Sequence, residues 1–180
     1  FETEFIAAIP GEFYKIGTRL SLRPFRTRHT VPSVGYTLVR HKHVLKEEFK
    51  GLEGPEIARI KTSGKEVNTL VREPLITFTG DTTPEGLAED EFARRARIIV
   101  TELSFLGEKD RATVETARIG MHTHIDELLP LMETLECETL VFMHLSRKYS
   151  VEEAQKILES RIPKQWEGRW HLLHHEDRKA

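Results

Sequence analysis

Three apolar runs, each ending in a polar side chain that can bind a metal or move a proton, constrain this sequence more than any other feature. The runs, with the residues that end them, are Leu75 to Asp81, Arg97 to Glu102 and Thr139 to His144. Short runs rich in β-branched and aromatic residues are typical of strands buried in a parallel sheet. Because ligands of such sheets collect at the carboxyl ends of the strands, we expect a ligand site there.

Helical periodicity predicts three helices, at Pro84 to Arg95, Thr113 to Met132 and Val151 to Ile162. The last one opens with Ser150 as an N-cap and Glu153 three residues later, the pattern of a capping box. The opening third of the chain is rich in predicted strand, with extended segments at 2–9, 19–26 and 33–40. Alternating strands and helices predict an α/β fold.

The length of 180 residues suits one compact domain, or most of a larger one. The charged fraction is high at 31%, but 27 Lys and Arg against 29 Asp and Glu leave a formal net charge of only -2. This balance excludes a polycationic surface for the chain as a whole, so any contact with nucleic acid must be local.

The cysteine content and the hydropathy bear on the compartment. The single cysteine, Cys137, excludes an internal disulfide and a cysteine-rich zinc ribbon, which favours a reducing compartment and the cytosol. The sequence has no apolar run of the roughly 18 residues that a membrane span needs, and no signal pattern at its start. The first residue is Phe1 rather than Met, inside a strand-like segment, so we expect the natural start to lie upstream.

Residues 42–68 interrupt the pattern of strands and helices. They are charged and contain three glycines, and a short helix is predicted near Pro55 to Ile60 because proline suits a first helical turn. We interpret this segment as an excursion from the core.

Each candidate site residue has a functional and a structural interpretation. His144 follows an apolar strand that would hold its imidazole rigidly, although a lone histidine is more often a bystander than a ligand. Asp81 offers carboxylate oxygens to a cation, or else caps the helix after Pro84.

His122 and His124 lie two positions apart, so they do not share a helix face but could diverge at a helix start. Thr123 or Asp126 could cap that helix instead. His29 lies among cationic residues between predicted strands, where a plain loop histidine is an equal alternative.

Together these motifs resemble those of the tRNase Z (ribonuclease Z) family, especially its short form, in order and spacing. The motifs are Arg28-His29-Thr30, Gly35-Tyr36, Phe78-Thr79-Gly80-Asp81-Thr82, Glu102-Leu103-Ser104-Phe105-Leu106, His122-Thr123-His124 and His144-Leu145-Ser146-Arg147-Lys148-Tyr149. The resemblance extends from Phe1 to the region of Trp170. It implies the αββα four-layer sandwich of the metallo-β-lactamase superfamily, an α/β fold, with residues 1–180 as its C-terminal half.

The resemblance implies a two-zinc phosphodiesterase that processes the 3′ end of precursor tRNA. Asp81 would bridge the two zinc ions, His29 would bind one and His144 the other; manganese or iron would use similar ligands. His122 would donate a proton to the departing ribose 3′-oxygen, and Glu102 would orient its imidazole and favour the charged form. His124 receives no catalytic role and is expected to form structural hydrogen bonds.

The resemblance also implies contacts with the RNA. Residues 40–66 resemble a shortened form of the flexible arm with which some family members grip tRNA, and Lys61 and Lys65 would contact phosphate there. A solvated surface loop is an equal alternative. Ser146 and Lys148 would contact phosphate near the metals, although Lys148 replaces the arginine usual in the family and loses its bidentate geometry.

One motif of the superfamily is absent, because no His-x-His-x-Asp-His spacing occurs in the sequence. Each zinc would therefore have two protein ligands of about four, and we expect an N-terminal half, upstream or on a second chain, to supply the rest. Related enzymes are usually homodimers. The alternatives are a non-catalytic half that binds tRNA or acts as a scaffold, and another hydrolase of the same fold.

Overall fold

A seven-stranded mixed sheet, with its strands in sequence order, organises this computed structural model. The structure describes residues 2–107 and 113–173, so positions 1, 108–112 and 174–180 of the expected 1–180 domain lie outside the described residues. The strands are β1 (Tyr14–Lys15), β2 (Leu20–Arg26), β3 (Val34–Leu45), β4 (Asn68–Phe78), β5 (Ile98–Glu102), β6 (Thr139–Met143) and β7 (Trp170–Leu172). Strands β1 to β4 pair antiparallel, and β4 to β7 pair parallel.

Helices connect the parallel strands, as the alternating pattern predicts, and one more helix lies between the antiparallel strands β3 and β4. They are α1 (Gly54–Thr62), α2 (Pro84–Ala88), α3 (Glu91–Arg94), α4 (Val114–Gly120), α5 (Ile125–Met132) and α6 (Val151–Arg161), with 3-10 turns at Glu47–Phe49 and Lys164–Trp166. The α/β fold is confirmed, and so is the capping box of α6, in which Ser150 and Glu153 each bond the other's backbone. Among the described residues, no helix is long and apolar enough to cross a membrane.

Two predicted helices each divide into two. The run at 84–95 breaks before Asp90, whose side chain caps α3 by accepting from the Ala93 amide. The run at 113–132 breaks at Met121, which has a left-handed φ of 56°. Buried apolar residues lie on both sides of each break, Leu87 and Ala93 around the first and Ala117 and Ile125 around the second, so the hydrophobic pattern alone does not reveal the breaks. The predicted strand at 2–9 is irregular.

The excursion predicted at 42–68 is the outer part of a long β-hairpin. Strands β3 and β4 stay paired from Tyr36 and Phe78 out to Leu45 and Asn68, and helix α1 lies beyond the hairpin's end, close to the predicted position. Charged residues on both faces of the outer hairpin conceal the alternation that marks a strand. We call residues 40–66 the arm.

The two faces of the sheet differ. On one face, side chains such as Ile99, Leu140 and Phe142 are fully buried under the helices and form one core. On the other face, apolar side chains of neighbouring strands stand side by side. In the described chain Tyr36, Ile76 and Phe78 remain 37%, 37% and 45% exposed there.

The core also contains the single cysteine. Cys137 is free and fully buried, and burial raises the pKa of its thiol to about 11. The side chain therefore behaves as a small apolar residue rather than as a reactive thiol.

The loop before α2 packs closely against the segment that follows β2, and Gly86 of α2 lies at this contact. The Thr83 amide donates to the Arg28 carbonyl and the Arg28 amide to the Thr82 hydroxyl, both at 3.0 Å. A Cβ at Gly86 would lie 2.2 Å from the Thr82 Oγ1 and 3.0 Å from the Arg28 backbone nitrogen. Only glycine allows this approach.

We predict that Gly86→Ala lowers the free energy of unfolding by about 1–3 kcal/mol, because the added methyl group overpacks a site whose neighbours are partly backbone. Urea unfolding followed by circular dichroism measures the change. Gly54→Ala is the matched control, since a Cβ there meets no atom within 4 Å and alanine suits the helix. Equal stability of the two variants would contradict this packing.

Candidate metal and catalytic site

The loops that follow β4, β5 and β6 converge at one edge of the sheet. Asp81 and His144 are both partly exposed there, and the Oδ2 of Asp81 lies 3.6 Å from the Nε2 of His144. Glu102, at the end of β5, is completely buried between them. The three strand-end residues that the sequence singles out are thus neighbours in space.

Glu102 is the centre of a hydrogen-bond network. Its Oε2 accepts from the Thr82 amide at 2.6 Å. Its Oε1 accepts from the Ser104 hydroxyl at 2.7 Å, from His122 Nδ1 at 2.6 Å and from the Thr123 amide at 3.2 Å. A buried carboxylate requires such donors to replace its lost hydration. Glu102 therefore joins three loops through one side chain.

His122 lies in the short link between α4 and α5. The left-handed Met121 turns the chain out of α4, so the imidazole faces the strand ends. Because the Glu102 carboxylate can only accept, His122 Nδ1 carries a proton. This leaves Nε2 as the nitrogen available for chemistry.

His29 completes a row of three imidazoles. It lies in the loop between β2 and β3, and its Nδ1 is 3.3 Å from the carbonyl oxygen of Met121. The ring centroids of His29 and His122 are 5.5 Å apart, and those of His122 and His144 are 5.3 Å apart. Residues far apart in sequence thus form one cluster.

The structure tests the structural roles considered for Asp81 and His124. The N-cap of α2 is Thr83, so Asp81 does not cap that helix. His124 is the N-cap of α5, and its Nδ1 accepts from the Asp126 amide at 3.1 Å. The structural hydrogen bonding expected for His124 is therefore present, and it replaces the caps suggested for Thr123 and Asp126.

Charged groups flank the His29 loop. A hydrogen bond with Glu89 raises the pKa of Arg28 above its usual value. A hydrogen bond from Thr83 lowers the pKa of Glu85 below its usual value. Both side chains therefore stay charged near neutral pH, and Arg28 is held beside Glu89 rather than over the imidazoles.

Two sets of residues could hold a metal ion. Glu102, His122 and His144 each bring one ligand-competent atom within 4.8 Å of the others. Glu102, however, already accepts four hydrogen bonds and is fully buried, so binding a cation would break that network. Asp81 and His144 are accessible and suit a metal better.

The expected phosphate-binding residues lie in two places. Ser146 and Lys148 follow His144, and the Ser146 amide donates to the Ser104 carbonyl at 3.0 Å. Lys61 and Lys65 lie at the far end of the arm, where Lys65 pairs with Glu48 at 3.6 Å. The 11 residues of β4 separate the arm tip from the site by about 30 Å.

Ser104 is a site residue to which sequence reasoning assigns no role. Its side chain is almost completely buried and contacts both Glu102 and His144. The sequence offers two signals: Ser104 lies in the motif Glu102-Leu103-Ser104-Phe105-Leu106, and it is a polar residue where an apolar one would suit the core.

No family model matches the chain, but individual proteins do. It is 34% identical to tRNase Z TRZ2, chloroplastic, of Arabidopsis thaliana, over 85% of this chain and 43% of that protein. It is 35% identical to tRNase Z TRZ1 of the same plant, over 88% of this chain and 56% of that protein. The chain thus spans about half the length of these relatives.

A solved structure shows the same fold. The metallo-β-lactamase fold protein YhfI from Bacillus subtilis superposes with a TM-score of 0.57 at 13% identity, over 93% of this chain and 52% of that chain. This likeness confirms the expected fold class. The solved structure shows the fold alone, and the matches at 34% and 35% identity over 85% and 88% of this chain place it in the tRNase Z family.

Proposed function

We propose that this chain supplies part of the active site of a zinc-dependent endoribonuclease, which cuts the 3′ trailer from precursor tRNA and leaves a 3′-hydroxyl. The observation that carries the proposal is the row of His29, His122 and His144 beside Asp81 at the carboxyl ends of parallel strands. Nitrogen and carboxylate ligands in this mixture suit zinc.

His29, Asp81 and His144 are the proposed metal ligands. Two ligands on one tetrahedral zinc, each about 2.1 Å from it, lie about 3.4 Å apart. The 3.6 Å between Asp81 Oδ2 and His144 Nε2 is close to that separation and longer than a normal hydrogen bond. Bound zinc would polarise the scissile phosphate and activate water.

His122 is the proposed proton donor to the departing 3′-oxygen. Its Nδ1–H is held by Glu102 at 2.6 Å, which fixes the ring and stabilises the imidazolium. A proton on Nε2 then faces the leaving oxygen. The buried carboxylate acts only through the imidazole and does not touch the substrate.

The ligand set and the sheet both favour a second component. One histidine per zinc plus a shared carboxylate leaves each ion short of about two protein ligands. A segment with a His-x-His-x-Asp-His motif, in the same chain or a partner, would supply them. The apolar face at Tyr36, Ile76 and Phe78 would accept the second sheet of an αββα sandwich. A homodimer and a cytosolic location remain predictions.

The arm is proposed to hold the RNA at a distance from the cut. Lys61 and Lys65 lie about 30 Å from the strand ends, so they would contact phosphates far from the scissile bond. Ser146 and Lys148 would contact phosphates beside it. Such contacts position a substrate without reading bases.

We predict that the chain binds zinc weakly and that Asp81→Asn lowers its affinity at least about 10- to 100-fold, the loss typical of changes that only support a ligand. Competition with a chromophoric chelator measures this. Glu91→Gln is the control, since Glu91 is exposed and pairs only loosely with Arg95 at 4.0 Å. Equal zinc affinity of the unmodified chain, Asp81→Asn and Glu91→Gln would show that Asp81 is not a zinc ligand.

Reconstitution tests the activity. We predict that zinc-loaded chain combined with the part of Arabidopsis TRZ1 outside the matched stretch cleaves precursor tRNA, and that His122→Ala lowers this rate about 100-fold or more. Bis(p-nitrophenyl) phosphate is the internal control, because its leaving group departs without a proton and should lose far less rate. Equal losses on both substrates would exclude a proton-donor role, whereas tRNA binding without any cleavage would favour the scaffold alternative.

The arm can be tested by charge reversal. We predict that Lys61→Glu with Lys65→Glu weakens tRNA binding and reduces the slope of log affinity against log salt by about one for each phosphate that the arm no longer neutralises. Cleavage of bis(p-nitrophenyl) phosphate should stay unchanged. Lys156→Glu with Lys164→Glu, two exposed positions outside the arm, makes the same change in net charge and is the control. An unchanged salt slope would mean that the arm does not contact the RNA.

A further inference from the structure

We propose that Ser104 is a positioning residue that prepares His144 to bind metal, by fixing both its backbone and its tautomer. This inference rests on the proposed function for the purpose of the site. The hydrogen bonds that carry it are those of Ser104 with Glu102 and His144, within this chain. Ser104 is not among the motifs' expected ligands or catalytic groups.

His144 has a backbone conformation that needs support. Its φ is 61°, in the left-handed region that side chains other than glycine rarely adopt. The Ser104 hydroxyl lies 2.9 Å from the His144 carbonyl oxygen, and the Ser104 carbonyl accepts from the Ser146 amide at 3.0 Å. Ser104 therefore bonds the chain at His144 and again two residues later.

The proton count at Ser104 determines the tautomer of His144. The hydroxyl has one hydrogen and three neighbours: Glu102 Oε1 at 2.7 Å, the His144 carbonyl oxygen at 2.9 Å and His144 Nδ1 at 3.0 Å. The two oxygens can only accept, so the single hydrogen points to the nearer Glu102 Oε1 and is shared with the His144 carbonyl oxygen. The hydroxyl oxygen then accepts a proton from Nδ1.

The opposite assignment is unfavourable. If the hydroxyl donated to Nδ1, its lone pairs would face the buried carboxylate and a carbonyl oxygen at hydrogen-bond distance without a proton between them. Ser104 is only 4% exposed, so water is not a ready substitute. Nδ1 of His144 thus carries the proton.

This tautomer leaves a lone pair on Nε2, which is the atom 3.6 Å from Asp81 Oδ2. A histidine ligand needs an unprotonated nitrogen toward the metal, and a partner on its other nitrogen fixes which one that is. Ser104 therefore presents the lone pair of His144 beside a carboxylate before any metal arrives.

Nitrogen-15 NMR of the metal-free chain tests the proposal directly. Long-range proton–nitrogen spectra distinguish the two neutral tautomers from each other and from the imidazolium. We expect the Nδ1–H form at His144 in the unmodified chain. The Nε2–H form there would overturn the proposal without any variant, whatever the outcome of the tRNA assays.

Two variants extend the test. Ser104→Ala should populate the Nε2–H form of His144 and lower zinc affinity about 10- to 100-fold. Ser104→Thr, which keeps the hydroxyl, should retain the Nδ1–H form and a zinc affinity close to that of the unmodified chain. Ser160→Ala, at an exposed position of α6, is the control. If Ser104→Ala leaves either the tautomer or the affinity unchanged, Ser104 does not position His144 in this way.

Discussion

The hydrogen bonds to the buried carboxylate of Glu102 are the constraint on which the rest of the site depends. Removing a carboxylate from water costs several kcal/mol unless donors replace the hydration. Here the donors come from the loop after β4, from the α4–α5 link and from Ser104. Each loop needs Glu102 to satisfy its own polar groups, and Glu102 needs all of them. The site loops therefore converge for a reason of folding, before any metal or substrate is present.

The sequence predicts the part of this arrangement that strands control. Asp81, Glu102 and His144 follow apolar strands, and parallel pairing of β4, β5 and β6 brings their ends together by geometry alone. The positions of His29 and His122 depend on something else: a left-handed turn at Met121 after α4 and a tight approach at Gly86. Hydrophobic periodicity predicts neither feature. Only the resemblance to a family therefore linked His29 and His122 to the site.

The arm is a second region whose structure the sequence pattern does not predict. Alternation of apolar and polar residues marks a strand when one of its faces is buried. The outer hairpin has no covered face, so its charged residues form only local ion pairs, such as those of Arg40 and Lys42 with Glu73. The open sheet face has the opposite property, since its apolar side chains are patterned for burial yet remain accessible in the described chain. This accessible face and the small number of proposed metal ligands at the sheet edge both support the proposal of an additional component.

The three imidazoles differ in what lies behind them, and this difference bears on their proposed roles. Each is anchored through Nδ1: His122 by the Glu102 carboxylate at 2.6 Å, His144 by the Ser104 hydroxyl at 3.0 Å with the same carboxylate farther away at 3.7 Å, and His29 by a backbone carbonyl. A carboxylate stabilises a positive imidazolium, whereas a neutral acceptor orients the ring without favouring the charge as strongly. An acid must carry the extra proton, and a metal ligand must not. The nature of the anchoring group therefore argues for His122 as the proton donor and for His29 and His144 as ligands.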